Sequence, residues 1–332
     1  MPDRDARATA FLAGTDWAGA TRGPLAGDAS NRRYERLRHP ETGDTAVLMD
    51  APPEKGEDVR PFLRIARHLC DIGLSAPRIL TQDVEHGFLL IEDLGDDLYA
   101  RVVRATPDRE TMLYEAAIDV LLTLHRAPLP ALDPYDARVM TDLATLAYSK
   151  YRDGIVGNPD GQDRFQTLFL DICAAHATAD PVLIQRDYHA ENLLWLPDRQ
   201  GAARVGLLDF QDAMAGHPAY DLVSLLQDAR RDVSPGLQEA MIARYLAGSK
   251  DDPTRFRAAY AVLGAQRNLR ILGVFARLGR EYGKPHYIDL IPRVWAHLMQ
   301  DLDHPALAPV ADVLRETLPA PTPDNLQSLR PT

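Results

Sequence analysis

The distribution of apolar and polar residues changes character near residue 95. Before that point, short apolar runs bounded by polar or glycine-containing turns predict β-strands at residues 34–37, 45–49, 77–82 and 87–91. A segment between them, residues 59–72, repeats its apolar side chains every three or four positions, which is typical of an amphipathic helix. The first part therefore predicts a small unit that combines an antiparallel sheet with helices.

After residue 95 the helical period dominates. It predicts helices at residues 109–125, 141–151, 164–177, 220–229, 236–247, 254–278 and 288–302. We therefore expect an α+β protein with a sheet-rich N-terminal lobe (1–95), a larger, mainly helical lobe (96–304) and a C-terminal tail (305–332). The tail is rich in proline, so we expect it to be loosely attached.

Composition narrows the possible classes of protein. The chain has 332 residues, a net charge of -11 and two cysteines, and it contains no basic tract. This balance predicts a globular protein without a disulfide framework and without a nucleic-acid partner. The apolar runs are too short to cross a membrane and the N-terminal segment does not resemble a signal peptide, so we expect a cytoplasmic protein without a membrane partner. The sequence leaves the oligomeric state open.

Three polar residues follow apolar strands in the second half of the chain. Asp187 comes after the run 182–184, Asn192 follows it by five residues, and Asp209 comes after the run 205–208. Phosphoryl transfer needs a carboxylate that orients the attacking hydroxyl and takes its proton, together with oxygen ligands for Mg²⁺. These residue types also occur in ordinary polar turns, but charges that end buried strands are unusual without partners.

The spacing D-x-x-x-x-N followed by D-F resembles the catalytic and metal loops of the protein-kinase-like fold, and in particular the aminoglycoside phosphotransferase and choline kinase-like family. This resemblance implies a bilobal fold and an ATP- and Mg²⁺-dependent kinase of small molecules. By the same resemblance, Asp187 is the base, and Asn192 and Asp209 are the metal ligands. Asp221, at the start of a predicted helix, would hold the backbone of the catalytic loop.

The resemblance also implies a nucleotide site in the N-terminal lobe. The segment 27–34 occupies the place of the phosphate-covering loop, and its residues Ser30, Asn31 and Arg33 are candidates for nucleotide binding. Glu92 and Leu94 lie where the family has the hinge that reads adenine through backbone groups. An ordinary hairpin turn and a plain linker are compatible with the same two segments.

The chain departs from the family pattern at the lysine of the third strand. Met49 stands at that position, and Phe62 stands near the site of the lysine's usual glutamate partner. Loss of both charges is chemically coherent, because either one left buried and alone would be costly. We therefore expect phosphate contacts from other residues, with Arg32, Arg33 and Lys55 as hypotheses.

The acceptor candidates are His189, Asp212, Arg267 and Arg270. The two arginines belong to a basic segment that suits a neutral or carboxylate-bearing acceptor better than a cationic one. His189 is also compatible with a purely structural role, and the basic segment with a partly solvated helix.

Four segments resemble a narrower group, the anomeric sugar kinases of bacterial cell-wall recycling. They are residues 46–53, 185–193, 208–225 and 266–277. This resemblance implies phosphorylation of the 1-hydroxyl of N-acetylmuramate and N-acetylglucosamine. An aminoglycoside kinase, a choline- or homoserine-type kinase and a nucleotide-binding pseudokinase-like module remain alternatives; a metal-dependent phosphatase or nuclease would need a denser His/Asp cluster.

Overall fold

The computed structural model describes residues 4–25 and 31–330. The strands are β1 (Thr21–Pro24), β2 (Arg33–Arg38), β3 (Thr45–Asp50), β4 (Ile79–Asp83), β5 (Phe88–Glu92), β6 (Val182–Ile184), β7 (Leu193–Trp195), β8 (Val205–Leu207) and β9 (Met214–Gly216). The α-helices are α1 (Arg4–Ala13), α2 (Arg60–Asp71), α3 (Tyr99–Ala105), α4 (Glu110–Arg126), α5 (Ala137–Ala144), α6 (Asp153–Val156), α7 (Gln162–His176), α8 (Ala219–Leu226), α9 (Pro235–Gly248), α10 (Pro253–Glu281), α11 (Ile291–Asp301), α12 (Ala308–Thr317) and α13 (Pro323–Ser328).

These elements form two compact units. The N-terminal unit consists of residues 1–120 and 190–213, and the C-terminal unit consists of residues 121–189 and 214–332. The short segment 190–213 therefore belongs structurally with the first part of the chain, although it lies far from it in sequence. No helix in the described ranges is both long and apolar enough to cross a membrane.

The N-terminal unit is built on a five-stranded antiparallel sheet with the order β1-β2-β3-β5-β4. Side chains alternate between the two faces of such a sheet. One face packs on α1 through a buried cluster that includes Leu12, Leu48 and Leu90. The apolar residues that alternate with the cluster residues along β3 and β5, such as Met49 and Leu89, therefore belong to the opposite face. A separate pair of strands, β7 and β8, completes the unit.

The C-terminal unit surrounds α10, a helix of 29 residues of which most are buried. Helices α5, α7, α8 and α11 pack on it, and the short antiparallel pair β6 and β9 lies in the same unit. This burial on all sides explains why α10 contains Gly273, where a side chain would overlap the backbone of Leu146 on the neighbouring segment.

The structure differs from the predicted elements at several positions. Strand β1 and helix α3 were not predicted. The predicted helix at 141–151 is α5 followed by a π-helix, Ala147–Arg152, and the predicted helix at 288–302 begins with a 3₁₀ turn, Pro285–Leu290. Local propensity does not distinguish these helix types, because side-chain packing selects among them.

The C-terminal segment is helical and packed instead of loosely attached. Leu307, Val310, Leu314 and Leu329 are almost fully buried. The hydroxyl of Tyr151 donates a hydrogen bond of 2.7 Å to the carbonyl of Pro319. Pro309 and Pro323 lie in the first turns of α12 and α13, where a missing N–H costs nothing. The proline content therefore marks helix starts here.

We predict that Gly273→Ala destabilises the C-terminal unit. The added methyl group must displace the Leu146 backbone, and overpacking of this kind costs about 1–3 kcal/mol. The matched control is Gly236→Ala in α9, where no atom lies within 4 Å of the added methyl group. We expect this control to leave stability unchanged or to raise it by up to about 1 kcal/mol. Urea denaturation of both variants measures the difference, and equal stabilities would contradict the prediction.

Candidate active site

The loop that carries Asp187 is held by one buried side chain. Asp221, in the first turn of α8, is fully buried and accepts hydrogen bonds from the backbone N–H groups of Gln185, at 2.7 Å, and Arg186, at 2.9 Å. The hydroxyl of Ser224, one turn further along α8, donates to the carbonyl of Arg186. The role that the resemblance implied for Asp221 is thus confirmed.

Two residues at the predicted site, one beside Asp187 and one a predicted metal ligand, have strained backbones. Arg186 has a φ of 74° and Asp209 a φ of 56°, and they are the only non-glycine residues with positive φ in the described parts of the chain. Such conformations persist only where the surrounding structure enforces them, and they concentrate at functional sites. The residue types at these positions gave no signal of this conformation, so sequence reasoning missed it.

Asp187 is held in its charged form by neighbouring cations. Burial alone would raise the pKa of Asp187, but the guanidinium groups of Arg270 and Arg267 lower that pKa below its ordinary value. Its carboxylate is therefore available to accept a proton at neutral pH. The structure thus brings Arg267 and Arg270, two predicted acceptor contacts, into the electrostatic neighbourhood of the predicted base within the C-terminal unit.

The two arginines lie one turn apart on α10 and are held differently. The guanidinium of Arg270 approaches the hydroxyl of Tyr220 at 3.5 Å. The Tyr220 hydroxyl lies 3.3 Å from that of Tyr135, which donates to Gln266. Arg267 is more deeply buried, with 2% of its surface exposed.

His189 is buried and lies 3.3 Å from a guanidinium nitrogen of Arg230. Burial lowers the pKa of His189 to about 4, so its ring is neutral at pH 7. Both residues belong to the C-terminal unit, as Asp187 does. Asp212 belongs to the N-terminal unit and is exposed. The acceptor role of His189 and that of Asp212 stay predictions.

The two predicted metal ligands lie next to each other in the N-terminal unit. Asn192 directly precedes β7 and Asp209 follows β8 by two residues, and the pairing of Leu193 with Leu207 sets these strands in register. The side-chain amide of Asn192 lies 3.4 Å from one Asp209 carboxylate oxygen. The amide of Gln211 donates to the other oxygen at 2.7 Å and thereby orients the carboxylate.

Asn192 and Asp209 line a cavity of about 460 Å³ within the N-terminal unit. Most of its wall is apolar and includes Val47, Ile91 and Leu208. This volume is typical of a small-molecule site, and the apolar walls are accompanied by charged and amide side chains that include Asp93, Asn192 and Asp209.

The segment after β5 forms another wall of this cavity. Both predicted hinge residues, Glu92 and Leu94, line it. The backbone N–H and C=O of Leu94 make no hydrogen bond with any residue in the described ranges, which leaves them available for a ligand. The carboxylate of Glu92 is occupied by ion pairs with Arg78 and Arg199, so it acts as a structural clamp.

The residues present fit a magnesium ion. One carboxylate and one amide oxygen at the same cavity wall match an ion that takes few protein ligands and completes its shell with phosphates and water. In the described ranges, no group of three or more His, Cys, Asp and Glu side chains could hold a metal.

The structure describes two of the three predicted phosphate-loop residues, Asn31 and Arg33. Ser30 lies outside the described residues. Asn31 bonds to Lys55 and Glu57 through its side chain and its backbone N–H, and Arg33 pairs with Asp50. Neither residue lines the cavity. Their part in phosphate binding, and that of Ser30, stays a prediction.

The cations at the cavity are not those hypothesised from the sequence. Arg32 forms an ion pair with Glu57, and none of Arg32, Arg33 and Lys55 lines the cavity. The cavity is lined by Arg36 and Arg101 instead. Arg36 is clamped by Asp93 and Asp96 beside the hinge segment. These two arginines were missed, because only the tertiary structure shows which positions of β2 and α3 face the cavity.

The positions of the missing lysine and glutamate are apolar in the structure. Met49 is fully buried and pairs with Tyr34 and Leu89 across the sheet. Phe62 lines the cavity, and its ring lies 4.9 Å from that of Phe210, the residue after Asp209. An aromatic contact therefore packs against the loop that carries Asp209, near the position where the resemblance predicts a charged partner of the lysine.

The fold and this arrangement of carboxylate, amide and cavity define a phosphotransferase of the protein-kinase-like class. The model of the phosphotransferase enzyme family matches residues 21–259. The chain belongs to this family. The predicted enzyme class is therefore confirmed.

Two relatives are similar over nearly their whole length. One, from Caulobacter vibrioides, is 42% identical over 92% of this chain and 94% of its own; another, from Pseudomonas aeruginosa, is 34% identical over 88% and 87%. Both are named N-acetylmuramate/N-acetylglucosamine kinase. The narrower resemblance stated from the sequence is thus confirmed.

Solved structures support the fold. A choline/ethanolamine kinase family protein from Mesorhizobium loti has a TM-score of 0.63 at 16% identity and covers 95% of this chain and 100% of its own. The choline kinase LicA from Streptococcus pneumoniae has a TM-score of 0.59 at 15% identity and covers 84% and 94%. The predicted α+β protein-kinase-like fold is confirmed.

We predict that Asp221 gives the protein a characteristic pH dependence of stability. Burial raises the pKa of Asp221 to about 7, although the N–H groups of Gln185 and Arg186 oppose this shift. Between about pH 4 and 7 the folded protein keeps a proton that the unfolded chain releases, so this group lowers the free energy of unfolding as pH rises.

The measurement is urea denaturation from pH 4.5 to 7.5. We expect Asp221→Asn to be less stable than the wild type at pH 4.5 and to lose less stability as pH rises. Asp180→Asn, at an exposed loop position, is the matched control and should follow the wild type. Parallel curves for Asp221→Asn and the wild type would contradict the prediction.

Proposed function

We propose that the protein transfers the γ-phosphoryl group of ATP to the anomeric hydroxyl of N-acetylmuramate and N-acetylglucosamine. The observation that carries this proposal is the 42% identity, over 92% of the chain, to a relative named for these two substrates. The residues Asp187, Asn192 and Asp209 support it, because the protein-kinase-like mechanism uses these residue types at this spacing.

Asp187 is the residue that contacts the hydroxyl group of the acceptor. Its low pKa keeps it ionised, so it can accept a hydrogen bond from the acceptor hydroxyl and take the proton during transfer. Asp221 positions the loop that carries it. Much of the catalytic benefit is positional, since the protein has little covalent work in phosphoryl transfer.

The cavity of the N-terminal unit is the proposed nucleotide site. Its apolar walls suit a purine ring, and the backbone groups of Leu94 suit the edge of adenine. Asn192 and Asp209 would hold Mg²⁺. When bound, the ion neutralises charge on the phosphate oxygens.

The charge around Asp187 favours an acceptor without positive charge. Arg267 and Arg270 are the cations that most strongly affect this carboxylate. A polycationic aminoglycoside or a choline headgroup would meet repulsion there, whereas a neutral or anionic sugar would not. The geometry therefore supports the amino sugars over these alternatives.

We predict that Asp187→Asn lowers kcat by about 10²–10⁴-fold on both amino sugars, because the amide cannot take the proton. The assay is Mg²⁺- and ATP-dependent ADP release with N-acetylmuramate, N-acetylglucosamine, kanamycin, choline and homoserine. Asp180→Asn is the control and should keep wild-type activity. Turnover only on kanamycin, choline or homoserine would overturn the proposed acceptor. Nucleotide binding without any turnover would favour the binding-module alternative.

We predict that Arg270→Met shifts the acid limb of the pH profile of kcat/KM to higher pH. Arg270 is the cation that lowers the pKa of Asp187 most. Without it, burial raises that pKa, so the carboxylate becomes protonated at a higher pH. Arg255→Met, an exposed position on the same helix, is the matched control. Superimposable profiles for the two variants would show that Arg270 does not set the charge state of Asp187.

A further inference from the structure

The most deeply buried cation beside Asp187 lacks hydrogen-bond partners. The Nε and Nη1 atoms of Arg267 are buried, and neither has a partner among the residues that the structure describes. The neighbouring residues on α10 differ: Gln266 bonds to Tyr135 and Met140, and Asn268 bonds to Gln227 and Asp301. A buried guanidinium with unpaired N–H groups is costly unless something supplies acceptors.

No carboxylate of the described chain fills this role. Asp228 attracts Arg267 but makes no ion pair with it, and one Asp228 oxygen is itself buried without a partner. Arg293 of the same unit is paired with Asp232. Nε of Arg277, further along α10, is likewise buried without a partner in the described ranges, but Arg267 has two such atoms and is the one of the two whose charge acts on Asp187.

A second buried donor belongs to the same unit. The side-chain amide nitrogen of Gln185, two residues before Asp187, is buried and has no partner in the described ranges. Arg267 and Asp187 also interact electrostatically. Unpaired donors thus occur both on the catalytic loop and on α10, in the unit that carries the proposed base.

The two proposed acceptors differ by one group. N-acetylmuramate carries a lactyl ether with a carboxylate, and N-acetylglucosamine has a hydroxyl there. We propose that Arg267 binds this carboxylate through its unpaired N–H groups and so distinguishes N-acetylmuramate from N-acetylglucosamine. This inference rests on the proposed function. Guanidinium is the preferred partner of carboxylates in partly desolvated sites.

The test compares kcat and KM of Arg267→Met on both sugars at saturating ATP and on the plateau of the pH profile, where Asp187 is ionised in both proteins and its pKa does not affect the rate. We expect kcat/KM for N-acetylmuramate to fall by about 10–100-fold, as for the loss of a charge-assisted hydrogen bond, and kcat/KM for N-acetylglucosamine to change by less than about threefold. Arg255→Met on the same helix is the matched control and should leave both values unchanged.

The substrate provides an independent arm. The methyl ester of N-acetylmuramate lacks the charge, so the wild type should disfavour it relative to the acid, whereas Arg267→Met should treat acid and ester alike. Arg267→Lys keeps a cation for the case in which the methionine variant does not fold, and it should retain part of the preference for the acid. This arm shows whether the carboxylate itself contacts Arg267.

Each other outcome overturns the inference. An equal loss of kcat on both sugars would indicate that Arg267 contacts the oxygens of the transferred phosphoryl group instead of the substrate carboxylate. An equal loss accompanied by a lower melting temperature would assign it to folding. If the wild type turns over neither sugar, the proposed function fails; if it turns over both and the variant keeps their ratio, only the carboxylate site fails.

Discussion

The carboxylate of Asp221 determines the geometry on which the chemistry depends. It accepts two backbone N–H groups of the loop that carries Asp187, inside the C-terminal unit and away from solvent. These bonds compensate the unusual backbone of Arg186, whose positive φ would otherwise be unfavourable. Because one side chain anchors two consecutive peptide groups, the base is presented in a single orientation before any substrate arrives.

Charge is distributed to serve that base. The chain as a whole is acidic, yet the surroundings of Asp187 are positive, since Arg267 and Arg270 lie one turn apart on a buried helix. The tyrosine pair of Tyr135 and Tyr220 stands beside Arg270 without adding charge, because burial raises the pKa of Tyr135 well above its ordinary value. This positive environment lowers the pKa of Asp187, the proposed base.

The N-terminal unit replaces a charged pair with apolar packing. Met49 and Phe62 stand at or near the positions where the resemblance predicts a lysine and its glutamate partner, and Phe62 instead contacts the residue after Asp209. The loss of both charges together leaves neither buried alone, which is the physical condition for such a change. Arg36 and Arg101 are the cations among the described residues that line the cavity, and Arg36 is neutralised there by Asp93 and Asp96.

The sequence by itself determined the fold class, the family and most helices, because these depend on local spacing and on the period of apolar side chains. It predicted the candidate catalytic residues from the same spacing. Only the tertiary structure decided which cations face the cavity, that the segment after residue 305 packs, and that Arg267 is left without partners. These features depend on contacts between residues far apart in the chain. A pattern of single residues does not encode such contacts, so Arg36 and Arg101 could not be distinguished from Arg32 and Arg33.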